Sequence, residues 1–218
     1  MYRYVFFDFD GTLTDSSEGI LHSLRYALEK MGTPPLPPET EKLFIGPPLQ
    51  ESFALHCGYT PEQVVQAIHL FREYYCAKGI TEMAPIPGME EALRHLQDRG
   101  LLLAVTSSKE HNACCQAMEN LGLAPFFAVI AGSESDLSHN TKADIIRSVM
   151  EQLHLTEENV PEILLVGDRK YDVIGAAQWG IPCLGVDFCG FAPEGELTEA
   201  GAVAVVHTAE EMADYILA

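Results

Sequence analysis

Three observations predict an α/β fold: a parallel sheet covered by helices, with a helical insertion after the first strand. From Met89 onward, short uninterrupted apolar runs alternate with segments of helical periodicity, the pattern of strands buried on both faces by crossover helices. The run Arg3 to Phe7 is a strand of the same kind, yet it stands far ahead of the others. The interval between them has helical spacing and is set off at its far end by Pro85-Ile86-Pro87-Gly88. The economical division is a core of residues 1–14 and 85–218 with a helical cap of residues 15–84 inserted in it.

Within the insertion, Ile20, Leu21, Leu24, Ala27, Leu28 and Met31 share one helical face. Thr33 to Pro38, TPPLPP, breaks that helix. Two further helices are expected at Leu49 to Cys57 and Pro61 to Ala77, the second opened by a good N-cap and first-turn pair, Thr60-Pro61. In the core the order is helix Met89 to Arg99, strand Leu101 to Val105, helix Glu110 to Leu121 and strand Phe127 to Ala131. Helix Lys142 to Leu153, strand Glu162 to Val166, helix Tyr171 to Trp179 and strand Pro182 to Val186 follow. A short segment Ala202 to Val206 and a final helix Glu210 to Leu217 complete it.

Lys and Arg total 13 against 32 Asp and Glu, a net charge of -19. Such a balance argues against a nucleic-acid polymer or an anionic membrane surface as partner, because both need a basic face. No apolar run approaches a membrane span. The six cysteines, Cys57, Cys76, Cys114, Cys115, Cys183 and Cys189, form no Cys-x-x-Cys pair and read as reduced thiols. The expectation is a soluble, cytoplasmic protein.

Ligands of open α/β sheets bind at the carboxyl ends of the strands. Asp8 and Asp10 lie there, two residues apart in FFDFDGTLTDS. If the run continues as a strand, both point to one side, and like charges so placed call for a cation or a proton between them. Counted from Asp8, the sixth and twelfth positions are Leu13 and Gly19, not the Gly and Glu of an EF-hand loop. Neither a dinucleotide nor a P-loop glycine pattern is present.

Three other strand ends carry polar groups. Thr106-Ser107-Ser108-Lys109 could cap a helix or hold a phosphate. Lys142 opens a helix after Asn140-Thr141, where the helix dipole disfavours a cation; taken alone it reads as a surface residue. Gly167-Asp168-Arg169-Lys170-Tyr171-Asp172 could be a solvated capping loop or a metal-binding one. If the four ends are neighbours, Asp8, Asp10, Thr106, Ser107, Lys142, Asp168 and Asp172 share one crevice. Carboxylates, hydroxyls and one lysine without histidine suit a hard oxygen-liganded cation, foremost Mg²⁺.

These same residues resemble the four motifs of the haloacid-dehalogenase-like phosphohydrolase superfamily, in order: Asp8-Phe9-Asp10-Gly11-Thr12, Thr106, Lys142, and Gly167-Asp168 through Asp172. The resemblance spans nearly the whole chain. It implies a Rossmann-like core and reads the insertion as a cap. Within the superfamily the chain is similar to phosphoglycolate phosphatases, and FIGPPLQESF, VIAGSESD and VGDRKYDVIGA are similar to a 5′-nucleotidase-like branch. Tyr171 stands where that branch has His, and GVDFCG replaces a more aromatic loop. The resemblance implies a Mg²⁺-dependent phosphatase acting on a small phosphorylated metabolite. Asp8 would be the nucleophile and Asp10 the acid and base. Asp8, Asp10 through its backbone carbonyl, and Asp168 would bind the metal, with Asp172 orienting from behind. Thr106, Ser107 and Lys142 would hold the phosphoryl group, while Gly11 and Thr12 shape the loop. A 5′-nucleotidase, a β-phosphoglucomutase-like phosphomutase and a phospho-acceptor signalling domain are the alternatives. A dehalogenase would not need Asp10, since halide leaves without a proton.

Overall fold

Val5 and Phe7 point into one side of the sheet and Phe6 into the other, all three without solvent exposure, as the two-residue period of a strand requires. The computed structural model describes residues 2–134 and 141–218. Its elements are β1 (Tyr4–Phe7), β2 (Thr14–Asp15), α1 (Ser17–Met31), α2 (Pro38–Glu41), α3 (Leu49–Cys57), α4 (Pro61–Ala77), β3 (Ala84–Pro85) and α5 (Met89–Asp98). Then come β4 (Leu102–Glu110), α6 (His111–Asn120), β5 (Val129–Ser133), α7 (Lys142–Gln152), β6 (Ile163–Gly167) and α8 (Lys170–Ala177). The chain closes with β7 (Cys183–Val186), α9 (Glu196–Ala200), β8 (Ala204–Val206) and α10 (Ala209–Leu217). Ser135, Asp136 and Asn140, named in the sequence motifs, lie outside the described residues.

Six parallel strands form the sheet in the order β5-β4-β1-β6-β7-β8. Phe7 is in register with Val105 of β4 and Val166 of β6, so Asp8, Thr106 and Gly167 emerge side by side. Helices α5, α6 and α10 cover the face of Val5 and Phe7 with Leu93, Leu96, Met118 and Met212. On the face of Phe6, α7 and α8 contribute Ile145, Ile146, Val149 and Val173. Crossover helices thus bury both faces of the sheet, the reason its strands are apolar up to their carboxyl ends.

Between β1 and α5, helix α1 packs along α4. Ile20, Leu24, Ala27 and Leu28 form its buried face, joined by Ile68, Phe71 and Tyr75 of α4. Leu21 and Met31 of the expected face are only partly buried. Gly32 at φ 69 stops α1 in a left-handed turn, and Thr60 and Gln63 form a capping box on α4.

The structure corrects several boundaries. The insertion is joined to the core by a two-residue antiparallel ribbon, β2 with β3, too short to leave an apolar pattern. Pro38, placed in the break, starts the short helix α2 from its first position, where a missing N–H costs nothing. Helix α9 went unread. Strand β4 does not stop at Val105: it continues through Thr106 to Glu110, with a register shift against β5.

Candidate active site

Lys142 is the hub. Thr141 caps α7, its hydroxyl accepting from the Asp144 N–H, so Lys142 is the first helical residue and its side chain runs inward beside Gly175 of α8, where a Cβ would collide with the lysine stem. Its Nζ lies 2.7 Å from Asp8 Oδ1 and 2.6 Å from Asp172 Oδ1, and donates to the Thr106 carbonyl at 2.6 Å. All these residues are buried. Burial opposes the ammonium charge, but Asp172 and Asp8 outweigh it and push the Lys142 pKa up. The cation disfavoured at a helix start is therefore held by carboxylates from two other elements.

One carboxylate oxygen from each of Asp8, Asp168 and Asp172 lies within 4.8 Å of the other two. One ammonium does not balance three carboxylates. Burial, working against Lys142 and with Asp172, raises Asp8 to about 7. Burial, then Asp8 and Asp172, raises Asp168 well above the usual carboxylate range. Asp168 Oδ1 accepts a long bond from the Thr12 hydroxyl, 3.4 Å, while its Oδ2 is buried without a hydrogen-bond partner. A buried unpartnered carboxylate oxygen amid like charges fits a divalent cation. Gly11, at φ +83, passes so close that a Cβ would run into Asp168 Oδ2.

Asp10 does not share that cluster. Its Oδ2 is 2.9 Å from Lys109 Nζ, and its Oδ1 accepts from the Ser16 hydroxyl. The two aspartates that open the motif thus turn to different cations, not to one spot: β1 ends at Phe7, so strand alternation no longer governs them. Lys109 Nζ also donates to the Tyr75 hydroxyl of α4 at 2.9 Å and lies 4.4 Å from the centre of the Tyr75 ring. Burial opposes its charge, but Asp10 and Tyr75 outweigh it and raise its pKa. Burial likewise lifts the Tyr75 phenol to about 12, against the pull of Lys109.

Thr106 and Ser107 are buried beside Asp8. The Thr106 hydroxyl lies 3.4 Å from the Phe7 carbonyl, and Ser107 Oγ accepts from the Lys109 N–H at 3.2 Å. Asp172 Oδ2 accepts from the Arg169 N–H at 3.1 Å, which fixes its carboxylate at the start of α8. Residue-by-residue reading missed Lys109, Ser16 and Tyr75. Lys109 stood in the quoted strand-end quartet, but only the extra length and register shift of β4 turn it inward.

A buried lysine from the start of α7 thus meets carboxylates from the ends of β1 and β6 and from α8. The chain belongs to the haloacid dehalogenase-like hydrolase family, whose model matches residues 5–186. It is 34% identical to a 5′-nucleotidase of Pseudomonas aeruginosa over 90% of this chain and 87% of that protein. It is 33% identical to tyrosine-protein kinase PtkA of Mycobacterium tuberculosis, over 95% of this chain and 69% of that one. A phosphoglycolate phosphatase of Caulobacter vibrioides is 31% identical, over 93% and 85% respectively. The crystal structure of a predicted phosphatase from Clostridium acetobutylicum superposes with a TM-score of 0.94 at 39% identity, covering 100% of this chain and 99% of that one. No helix among the described residues is long and apolar enough to cross a membrane.

Proposed function

We propose that this chain hydrolyses a small phosphomonoester through an aspartyl-phosphate on Asp8, with Mg²⁺ as cofactor. The observation that carries this reading is Lys142 joined to Asp8 and Asp172 while Asp168 Oδ2 stays buried and unpartnered beside them. An Asp8 oxygen attacks phosphorus, and the bond from phosphorus to the ester oxygen breaks. Asp10 delivers a proton to the departing alkoxide. It then takes a proton from water as the water oxygen attacks phosphorus and the bond to Asp8 breaks, releasing phosphate. Lys142, the Thr106 hydroxyl and the Ser107 N–H hold the phosphoryl oxygens. Asp8, the Asp10 carbonyl and Asp168 would hold the metal, which neutralises phosphoryl charge when bound, and Asp172 steadies both Lys142 and that cluster. Ser16 and Lys109 fix the direction of the Asp10 carboxylate.

Residues 15–84 act as the cap on the core of residues 1–14 and 85–218 in this reading. A cavity opens from Asp10 toward the insertion, walled by Ile20, Phe44, Leu49, Phe71, Tyr75 and Lys109. A glycolate carboxylate there would need a cation. Lys109 is already engaged by Asp10 and Tyr75, and most of the remaining wall is apolar. That lining favours a 5′-nucleotide, with its uncharged ring system, over phosphoglycolate.

The test is turnover of p-nitrophenyl phosphate with Mg²⁺, then a panel of 5′-nucleotides, phosphoglycolate and sugar phosphates read as kcat/KM. Hydrolysis abolished by chelation and by Asp8→Asn is expected. Near-normal turnover by Asp8→Asn would remove the nucleophile assignment. Isomerisation of a sugar phosphate would replace phosphatase by mutase, and stoichiometric labelling without turnover would indicate a phospho-acceptor.

A further inference from the structure

Arg169 stands in the sequence between Asp168, at the end of β6, and Asp172, in α8; its charge acts on Asp168, but its side-chain hydrogen bonds go elsewhere. It is 3% exposed. Its Nε donates to Glu196 Oε1 at 2.9 Å and its Nη2 reaches Glu196 Oε2 at 3.4 Å, while its Nη1 donates to the backbone carbonyl of Ile45. Glu196 belongs to α9 of the core, and Ile45 to the turn ahead of α3 in the insertion. Glu196 Oε1 also accepts from the Lys170 N–H at 3.1 Å, clamping the same loop from behind.

Two further features mark a built seam. Gly46 has φ +95, and a Cβ there would run into the Arg169 stem, so the turn lies flat on the arginine. One residue into α8, burial and then the nearby Glu51 carboxylate of α3 raise the Tyr171 phenol. The turn held this way is one wall of the cavity beside Asp10: Phe44, Gly46, Pro47, Pro48 and Leu49 all line it. A buried ion pair is a poor way to gain stability, since apolar residues of similar volume do as well or better. A planar fork that serves a carboxylate on one edge and a distant carbonyl on another does something an apolar group cannot.

We infer that Arg169 is a positioning residue. It ties the cavity wall at residues 44–49 to the end of β6 and the start of α8, which bear Asp168 and Asp172, so that the wall and the carboxylate cluster are set as one piece around the organic part of the substrate. Its kinetic consequence rests on the phosphatase reading; its structural consequence does not.

The deciding variant is Arg169→Lys in the full chain. A lysine can keep the pair with Glu196, but its single ammonium cannot also span to Ile45. Hydrogen exchange of amides in residues 42–51 is expected to quicken about tenfold, the loss of one charge-assisted bond, while amides of β1 and β6 stay unchanged. KM for p-nitrophenyl phosphate is expected to rise about tenfold with kcat within about threefold. For acetyl phosphate, whose leaving group is too small to reach the wall, kcat/KM should hold within about twofold. Glu196→Gln, which keeps an acceptor, should shift the same quantities the same way by less. Unchanged exchange at residues 42–51, or equal losses on both substrates, would overturn the inference. If the unsubstituted protein turned over neither substrate, the phosphatase reading would fall, and the exchange result alone would still decide the tie.

Discussion

Asp8 and Asp10 are separated by one residue and inhabit opposite kinds of neighbourhood. Around Asp8, three buried carboxylates confront a single ammonium. Around Asp10, one carboxylate meets one ammonium, and hydroxyls from Ser16 and Tyr75 complete the set. The first is short of positive charge and leaves Asp168 Oδ2 without a partner; the second is balanced and closed. A buried imbalance is unfavourable unless an outside charge relieves it, so the first neighbourhood is suited to a cation. The balanced one is suited to hold a carboxylate in a fixed direction. The pair also belongs to different parts of the molecule: Lys142 is wholly of the core, whereas Lys109 reaches a tyrosine of the inserted helices.

The largest test of this contrast is Asp8→Asn. The protein should stay folded, since an amide can still accept from Lys142, while kcat falls more than about a thousandfold, the scale on which loss of a nucleophile is felt. The same variant has a signature in metal-free protein. Asp8 titrates near 3.8 when unfolded and is raised to about 7 in the fold, so the folded state binds the extra proton between these values. Stability from this group therefore falls as pH rises from about 4 to about 7, and lies fully lost above that. Asp8→Asn should flatten that fall in a series of urea melts; an unchanged slope would mean that Asp8 does not titrate in the buried site that raises it. Next in size, Lys109→Met empties the balanced side. We expect kcat to drop about tenfold to a hundredfold, because Asp10 loses its direction while the phosphoryl site is untouched. Equal loss in Lys109→Met and Asp8→Asn would erase the distinction. Third, Mg²⁺ should raise Tm of the unsubstituted protein and of Lys109→Met, but not of Asp168→Asn, because a ligand stabilises only a fold that binds it.

The sheet was legible because most of its strands begin as short apolar runs that alternate with segments of helical period. Asp8, Lys142, Asp168 and Asp172 could be named together for a related reason: parallel strands put their carboxyl ends on one edge, so residues that follow β1, β5 and β6 come to one place. Lys109 and Arg169 were quoted in their motifs without a role. The direction of Lys109 depends on β4 running on to Glu110 with a register shift against β5, and that of Arg169 on where the turn at Ile45 docks. Both are outcomes of tertiary packing and leave no periodic trace. The two-residue ribbon β2–β3 is unreadable for the simpler reason that two residues have no period.

The finest test compares the single hydroxyls that serve the two sides. Ser16 donates to Asp10 at 2.5 Å, whereas Thr12 stands 3.4 Å from Asp168 Oδ1, where a hydrogen bond has lost most of its strength. Ser16→Ala should cost about 1–2 kcal/mol of stability, the usual loss for a short bond to a charged acceptor. Thr12→Val, which keeps the shape, should cost less than about 1 kcal/mol in metal-free protein, since little is taken from a carboxylate that is poorly satisfied already. Chemical denaturation of both variants without metal measures the difference directly. A larger penalty for Thr12→Val would mean that Asp168 is firmly held before any cation arrives. The asymmetry between the two aspartate neighbourhoods would then lie in charge alone and not in how each carboxylate is anchored.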